Sequence, residues 1–88
     1  MHDERALLIL ATKRIQTGDL PGQAPNAIWA GKGDDHPCAL CGKCIPCNEV
    51  EYEMRDTVDR VFRFHFRCHG IWQLALSGDA ERVGNASV

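Results

Sequence analysis

Cys38-Ala39-Leu40-Cys41-Gly42 is answered further along the chain by His65-Phe66-Arg67-Cys68. Each pair sets two soft ligands at i and i+3. Two such pairs joined by a loop match the tetrahedral Cys and His coordination of a closed structural zinc ion. Gly42, directly after the second cysteine, permits the tight backbone in which the following amides turn toward the first sulfur. A helix starting near Cys68 would place its partial positive charge beside that thiolate. His65 would bind as neutral imidazole, its second nitrogen needing an acceptor that the sequence does not identify. The predicted ligand set is therefore one structural Zn²⁺ on Cys38, Cys41, His65 and Cys68.

Working outward from these pairs, residues 49–54 alternate strictly, with Val50, Tyr52 and Met54 on one side and Glu49, Glu51 and Glu53 on the other. That pattern is a half-buried strand. A polar connection over 55–60 leads to a second strand at 61–66, where Phe62, Phe64 and Phe66 oppose Arg63 and His65. Cys68, Ile71, Trp72 and Ala75 then fall on one face of a short helix over 68–76, stopped by Ser77-Gly78. Knuckle, β-hairpin and a helix carrying the last ligand predict an α+β fold, a small treble-clef zinc finger spanning residues 38–77.

Upstream, residues 1–18 read as an added N-terminal amphipathic helix, with Asp3 as N-cap and Leu7, Leu8, Ala11 and Ile15 near helical spacing. Its apolar stripe must pack on something, either the zinc module or a partner protein, so these four residues are also the candidate partner-binding surface. Residues 19–37 carry Pro21, Gly22, Pro25, Gly31, Gly33 and Pro37, a linker composition. Within it, Ile28 and Trp29 are expected to anchor onto the core, the alternative for Trp29 being an exposed contact residue. Residues 78–88 lack periodicity and read as a disordered tail.

With 88 residues, the chain holds one small domain, of the size that often needs a metal or a partner for stability. A structural zinc ion contributes about 10–16 kcal/mol in finger peptides, so the metal-free protein should be largely unfolded. Five cysteines are an odd count, and four of them recur every third residue from Cys38 to Cys47, which favours metal over a disulfide scaffold. The apolar run Ala6 to Ala11 follows Asp3 and Glu4 rather than basic residues. It does not read as an export signal, and no stretch approaches the roughly 20 apolar residues of a membrane span. The expected compartment is the cytoplasm, where thiols stay reduced.

Cys44 and Cys47 leave other assignments open, and with His36 and His69 they are the alternative ligands. A knuckle at Cys41/Cys44 or Cys44/Cys47 would lack the following glycine. An iron-sulfur run would space its last cysteine by three and follow it with proline, whereas here Pro46 precedes Cys47. A redox pair in Cys44-Ile45-Pro46-Cys47 would need a helix N-terminus, where a strand is predicted. A second metal on Cys44, Cys47, His36 and His69 would ask four loosely placed residues to converge. The simpler reading makes Cys44 and Cys47 spare thiols, and His36 and His69 surface histidines.

The pattern Cys38-x2-Cys41 followed, after a loop, by His65-x2-Cys68 resembles the first zinc module of the LIM domain family over residues 38–72. After Cys68 the chain offers no ligands for the second module that a LIM domain requires. More broadly, the chain resembles a family of small bacterial treble-clef zinc-binding proteins. The resemblance is carried by Gly31 and Gly33, Cys38 and Cys41, the strand Glu49 to Glu53, and Phe64, His65, Cys68 and Trp72. It implies a zinc-binding fold and brings no activity with it.

Four ligands close the zinc, whereas catalytic zinc keeps an open position, and no nucleophile with an adjacent base, phosphate loop or small-molecule fingerprint is present. The sequence thus predicts a non-enzymatic binding module. The net charge of −2 and interspersed acids disfavour nucleic acid, whose binders carry unbalanced positive charge. Arg55, Arg60, Arg63 and Arg67 are the only support for that alternative. The expected partner is a protein.

Overall fold

The computed structural model describes residues 4–23 and 27–78. The N-cap expected at Asp3 and the tail expected over 79–88 lie outside them. The elements run α1 (Glu4–Thr17), β1 (Ala27–Lys32), β2 (Val50–Arg55), β3 (Val61–His65) and α2 (Phe66–Ser77). The three strands form one antiparallel sheet in the order β1-β2-β3.

The sheet is built around β2. On one side Met54 pairs with Phe62 and Tyr52 with Phe64, and α2 packs over this apolar face with Trp72 and Ile71. Phe64 stacks on Trp72 at 5.8 Å between ring centroids. α1 lies against α2 and sends Leu7 and Ala11 into the same core as Leu40, Ile45, Met54 and Phe64. The core is therefore shared by the sheet, both helices and the cysteine-bearing loop.

α1 ends where Gly18, at φ +85°, turns the chain into the left-handed region. There the Gly18 amide donates to the Ile15 carbonyl and the Leu20 amide to the Arg14 carbonyl, satisfying carbonyls left over by the helix. The following Leu20 and Pro21 are buried, and the Trp72 indole N–H donates to the Pro21 carbonyl at 3.0 Å.

The stretch expected to be linker contributes a third strand. Only Ile28 and Trp29 are strand formers in Ala27-Ile28-Trp29-Ala30, and the partner, β2, begins only at Val50, so the flanking Gly and Pro concealed the strand. Ile28 and Trp29 do not anchor the core: they are 43% and 51% exposed, because β1 is an edge strand and α2 packs over β2 and β3. Arg55 instead lies over the Trp29 ring at 5.7 Å.

The hairpin connection is held by Asp56. Its carboxylate accepts from the Val58 amide, the Arg60 amide and the Arg60 Nε–H, at 3.0, 2.8 and 2.7 Å. Burial pushes this carboxyl up, but the donors from Arg60 and Val58 outweigh it and hold it below the usual value. The glutamate face of β2 is not uniformly solvated either. Glu51 is buried because His36 and Arg63 lie over it, each 3.6 Å from a carboxylate oxygen.

Candidate metal centre

Two local structures bring the site together. The first is the loop after Pro37, which closes on itself through an isolated bridge between Pro37 and Cys44. The Cys38 amide donates to the Lys43 carbonyl, and the Gly42 amide to the Cys38 carbonyl, both at 2.9 Å. Gly42 sits at φ +81°, a conformation that costs other residues roughly 1–2 kcal/mol. Inside the turn, the Leu40 amide donates to Cys38 Sγ at 3.4 Å. The loop is pinned to the sheet by the Ala39 amide on the Arg63 carbonyl, 2.7 Å, and to α1 by Arg14 on the Ala39 carbonyl, 3.2 Å.

The second is the junction of β3 and α2. The helix starts at Phe66, earlier than the sequence pattern suggested, and His65 is its N-cap at φ −59°, ψ 155°. The strand's last residue and the third residue of the helix therefore both face the loop. This puts Cys68 in the first turn, where helix amides favour a thiolate.

Cys38, Cys41, His65 and Cys68 converge so that their ligand atoms all lie within 4.8 Å of one another. Cys41 Sγ and His65 Nδ1 are 3.4 Å apart. A tetrahedral ion with metal–sulfur bonds of about 2.3 Å and metal–nitrogen bonds of about 2.0 Å separates sulfur and nitrogen by about 3.5 Å. The donor set and its spacing thus fit one metal ion.

The acceptor that the sequence could not supply for His65 is the Cys44 carbonyl, 3.2 Å from Nε2. A proton on Nε2 leaves Nδ1 with its lone pair turned toward the cysteines, the outer-shell arrangement that fixes a metal-binding imidazole. Cys44 contributes through its backbone alone, which no side-chain motif could have revealed.

Proton affinities at the site report its appetite for positive charge. Cys38 is held far below the usual thiol value, chiefly because Cys68 donates to it. Burial opposes this, and the amides of Cys41, His65 and Leu40 add to it. The same contact, with burial, pushes Cys68 up. Burial pushes Cys41 up as well, against the Lys43 amide, with the charge on Cys38 adding to the rise. One thiolate is tolerated here and three repel each other, so a divalent cation is what would let all three ionise.

The other candidates stay apart. Among the described residues this is the only group of three or more such side chains close enough to hold a metal, so Cys44 and Cys47 join neither an iron-sulfur arrangement nor a second metal site. Both are exposed free thiols, and β2 rather than a helix follows them. His36 turns to Glu51. His69 is not a surface histidine. It is 7% exposed, stacked on Tyr52 at 4.6 Å and beside Trp72, and burial lowers its proton affinity. Of the four residues expected to face a partner, Leu7 and Ala11 are buried and Leu8 and Ile15 half-buried. That stripe is used inside the domain.

No helix among the described residues is long and apolar enough to cross a membrane. No protein-family model, curated protein or solved structure matches this chain.

Proposed function

We propose that Cys38, Cys41, His65 and Cys68 hold one Zn²⁺ whose role is structural, in a treble-clef module that presents its outer surface to a protein partner. The observation that carries the metal reading is the convergence of three thiols and an oriented imidazole within 4.8 Å. Soft thiolates with one imidazole in a four-coordinate closed set are the donors of structural zinc sites. The treble-clef reading is supported by element order: cysteine loop, the β2-β3 hairpin, then α2 with a ligand in its first turn. The reaction chemistry of an enzyme has no foothold in this reading, since all four positions of the ion are taken by protein.

The partner reading moves from α1 to the sheet edge, where Ile28 and Trp29 are exposed on β1. Nucleic acid is disfavoured by pairing: Arg55 meets Asp59, Arg60 meets Asp56, Arg63 meets Glu51 and Glu53, and Arg67 meets Glu4. Cations engaged with carboxylates do not supply the unbalanced charge that phosphate binding needs.

Elemental analysis of protein purified without added metal, with its absorption spectrum, tests the reading. One zinc per chain and no visible colour are expected. Iron with a brown colour would overturn it. A steep salt-dependent affinity for a nucleic-acid duplex would overturn the preference for a protein partner.

A further inference from the structure

The four ligands are not equally sheltered. Cys38 and Cys68 are 3% and 4% exposed, while Cys41 and His65 are half-buried. These two open onto a cavity of about 240 Å³, walled by Leu7, Lys43, Glu49 and Arg67 and bordered by the closely buried Cys68. Cys38 does not border it, and its sulfur is occupied by the Leu40 amide. We propose that Cys41 is a modification site: with the metal bound, its sulfur is the least sheltered nucleophile of the centre and the first that a small carbon electrophile reaches. This rests on the metal reading above.

The chemistry follows from the donor set. A thiolate, not a thiol, attacks carbon, and metal binding keeps cysteine deprotonated without further proton transfer. A lone pair on Cys41 Sγ forms the new S–C bond as the bond from that carbon to its leaving group breaks, and the leaving group departs with the electron pair as an anion. No oxidant or reductant enters. The leaving anion passes to solvent; the charges around the cavity are balanced, Lys43 and Arg67 against Glu49 and the Glu4 carboxylate 3.4 Å from Arg67. The volume lies below the roughly 300–1,000 Å³ of pockets for drug-sized ligands, so the substrate class is a small alkylating agent. The product is a neutral thioether in place of a thiolate, a weaker ligand, and the centre becomes the point at which alkylation is converted into metal loss and unfolding.

The test is alkylation by iodoacetamide of metal-loaded protein carrying Cys44→Ser and Cys47→Ser, which removes the two exposed free thiols and keeps the Cys44 carbonyl. Zinc content is measured first. Adducts are then located by peptide mass mapping while released zinc is followed with a coloured chelator. The expected result is a single adduct on Cys41, formed at least about tenfold faster than any on Cys38 or Cys68, with zinc release in step with it. Two results would overturn the inference and leave the metal reading standing. One is zinc retained with Cys41 unmodified over the time in which wild-type Cys44 and Cys47 are consumed. The other is simultaneous alkylation of Cys38, Cys41 and Cys68, which means that the ion leaves before any sulfur reacts. Absence of zinc at the start would refute the metal reading itself, and this inference with it.

Discussion

Replacing Gly33 by alanine should damage this domain far more than the same change two residues earlier. A Cβ at Gly33 would lie inside 3.0 Å of the Pro46 carbonyl oxygen, the Pro46 carbonyl carbon and the Ile45 carbonyl oxygen, all backbone atoms, whereas one at Gly31 meets nothing within 4 Å. The opposing backbone cannot simply give way. The Ile45 side chain is completely buried, and the two segments are tied by the Gly33 amide on the Glu49 carbonyl, the Asp35 amide on the Ile45 carbonyl and the Ile45 amide on the His36 carbonyl, each at 2.9 Å. Making room strains at least two of these bonds, worth about 0.5–1.5 kcal/mol each, on top of about 1–3 kcal/mol for overpacking. The sum is about 2–6 kcal/mol for Gly33→Ala, against no more than about 0.5 kcal/mol for Gly31→Ala. At about 4–8 °C per kcal/mol for a domain of this size, Gly33→Ala should lower the melting temperature of the metal-loaded protein by at least about 8 °C. Parallel melts of the two variants, followed by circular dichroism, provide the assay. Equal melting temperatures would refute the close approach of residues 33–35 to residues 45–46, and with it the route by which the sheet edge reaches the cysteine loop.

Cys41→Ser and His65→Ala should each lose the metal and the tertiary fold together, as should chelation of the wild type, because about 10–16 kcal/mol of binding exceeds or matches the stability of an ordinary domain. Cys44→Ser and Cys47→Ser should keep both, as read by metal content and near-ultraviolet circular dichroism. Leu7→Ala should cost about 2–5 kcal/mol in urea unfolding, since Leu7 is buried, while the exposed Ile9→Ala should stay within about 0.5 kcal/mol; equal effects would remove α1 from the core. Asp56 titrates below its ordinary value in the folded state, so its contribution is complete above about pH 4 and is lost only as pH falls through the lower folded value. The difference in melting temperature between wild type and Asp56→Asn should accordingly be the same at pH 7 and pH 5, and a difference already closing at pH 5 would contradict the depressed carboxyl.

The cluster that could hold a metal ion was legible because coordination spacing is local: Cys38 and Cys41 lie on one turn, and His65 and Cys68 at one strand-to-helix junction. The alternation of 49–54 and the phenylalanines after Val61 likewise announced β2 and β3, and gave the α+β class. What the sequence hid depends on neighbours distant in the chain. β1 reads as linker because Gly31 and Gly33 look like breakers, and only pairing with β2 makes a strand of Ile28 and Trp29. Glu51 looks solvated until His36 and Arg63 are placed over it. His69 follows the ligand Cys68 by one residue, and the turn of the helix carries it onto Tyr52 and Trp72. The Cys44 carbonyl, which orients His65, has no side-chain signature at all.

X-ray absorption at the metal edge of the purified protein reads the coordination shell itself. Zinc with three sulfur neighbours at about 2.3 Å and one nitrogen at about 2.0 Å is expected. A shell of four sulfurs would put Cys44 or Cys47 in the place of His65, and a shell containing a solvent oxygen would open a site argued to be closed; either would contradict a metal held by Cys38, Cys41, His65 and Cys68 alone.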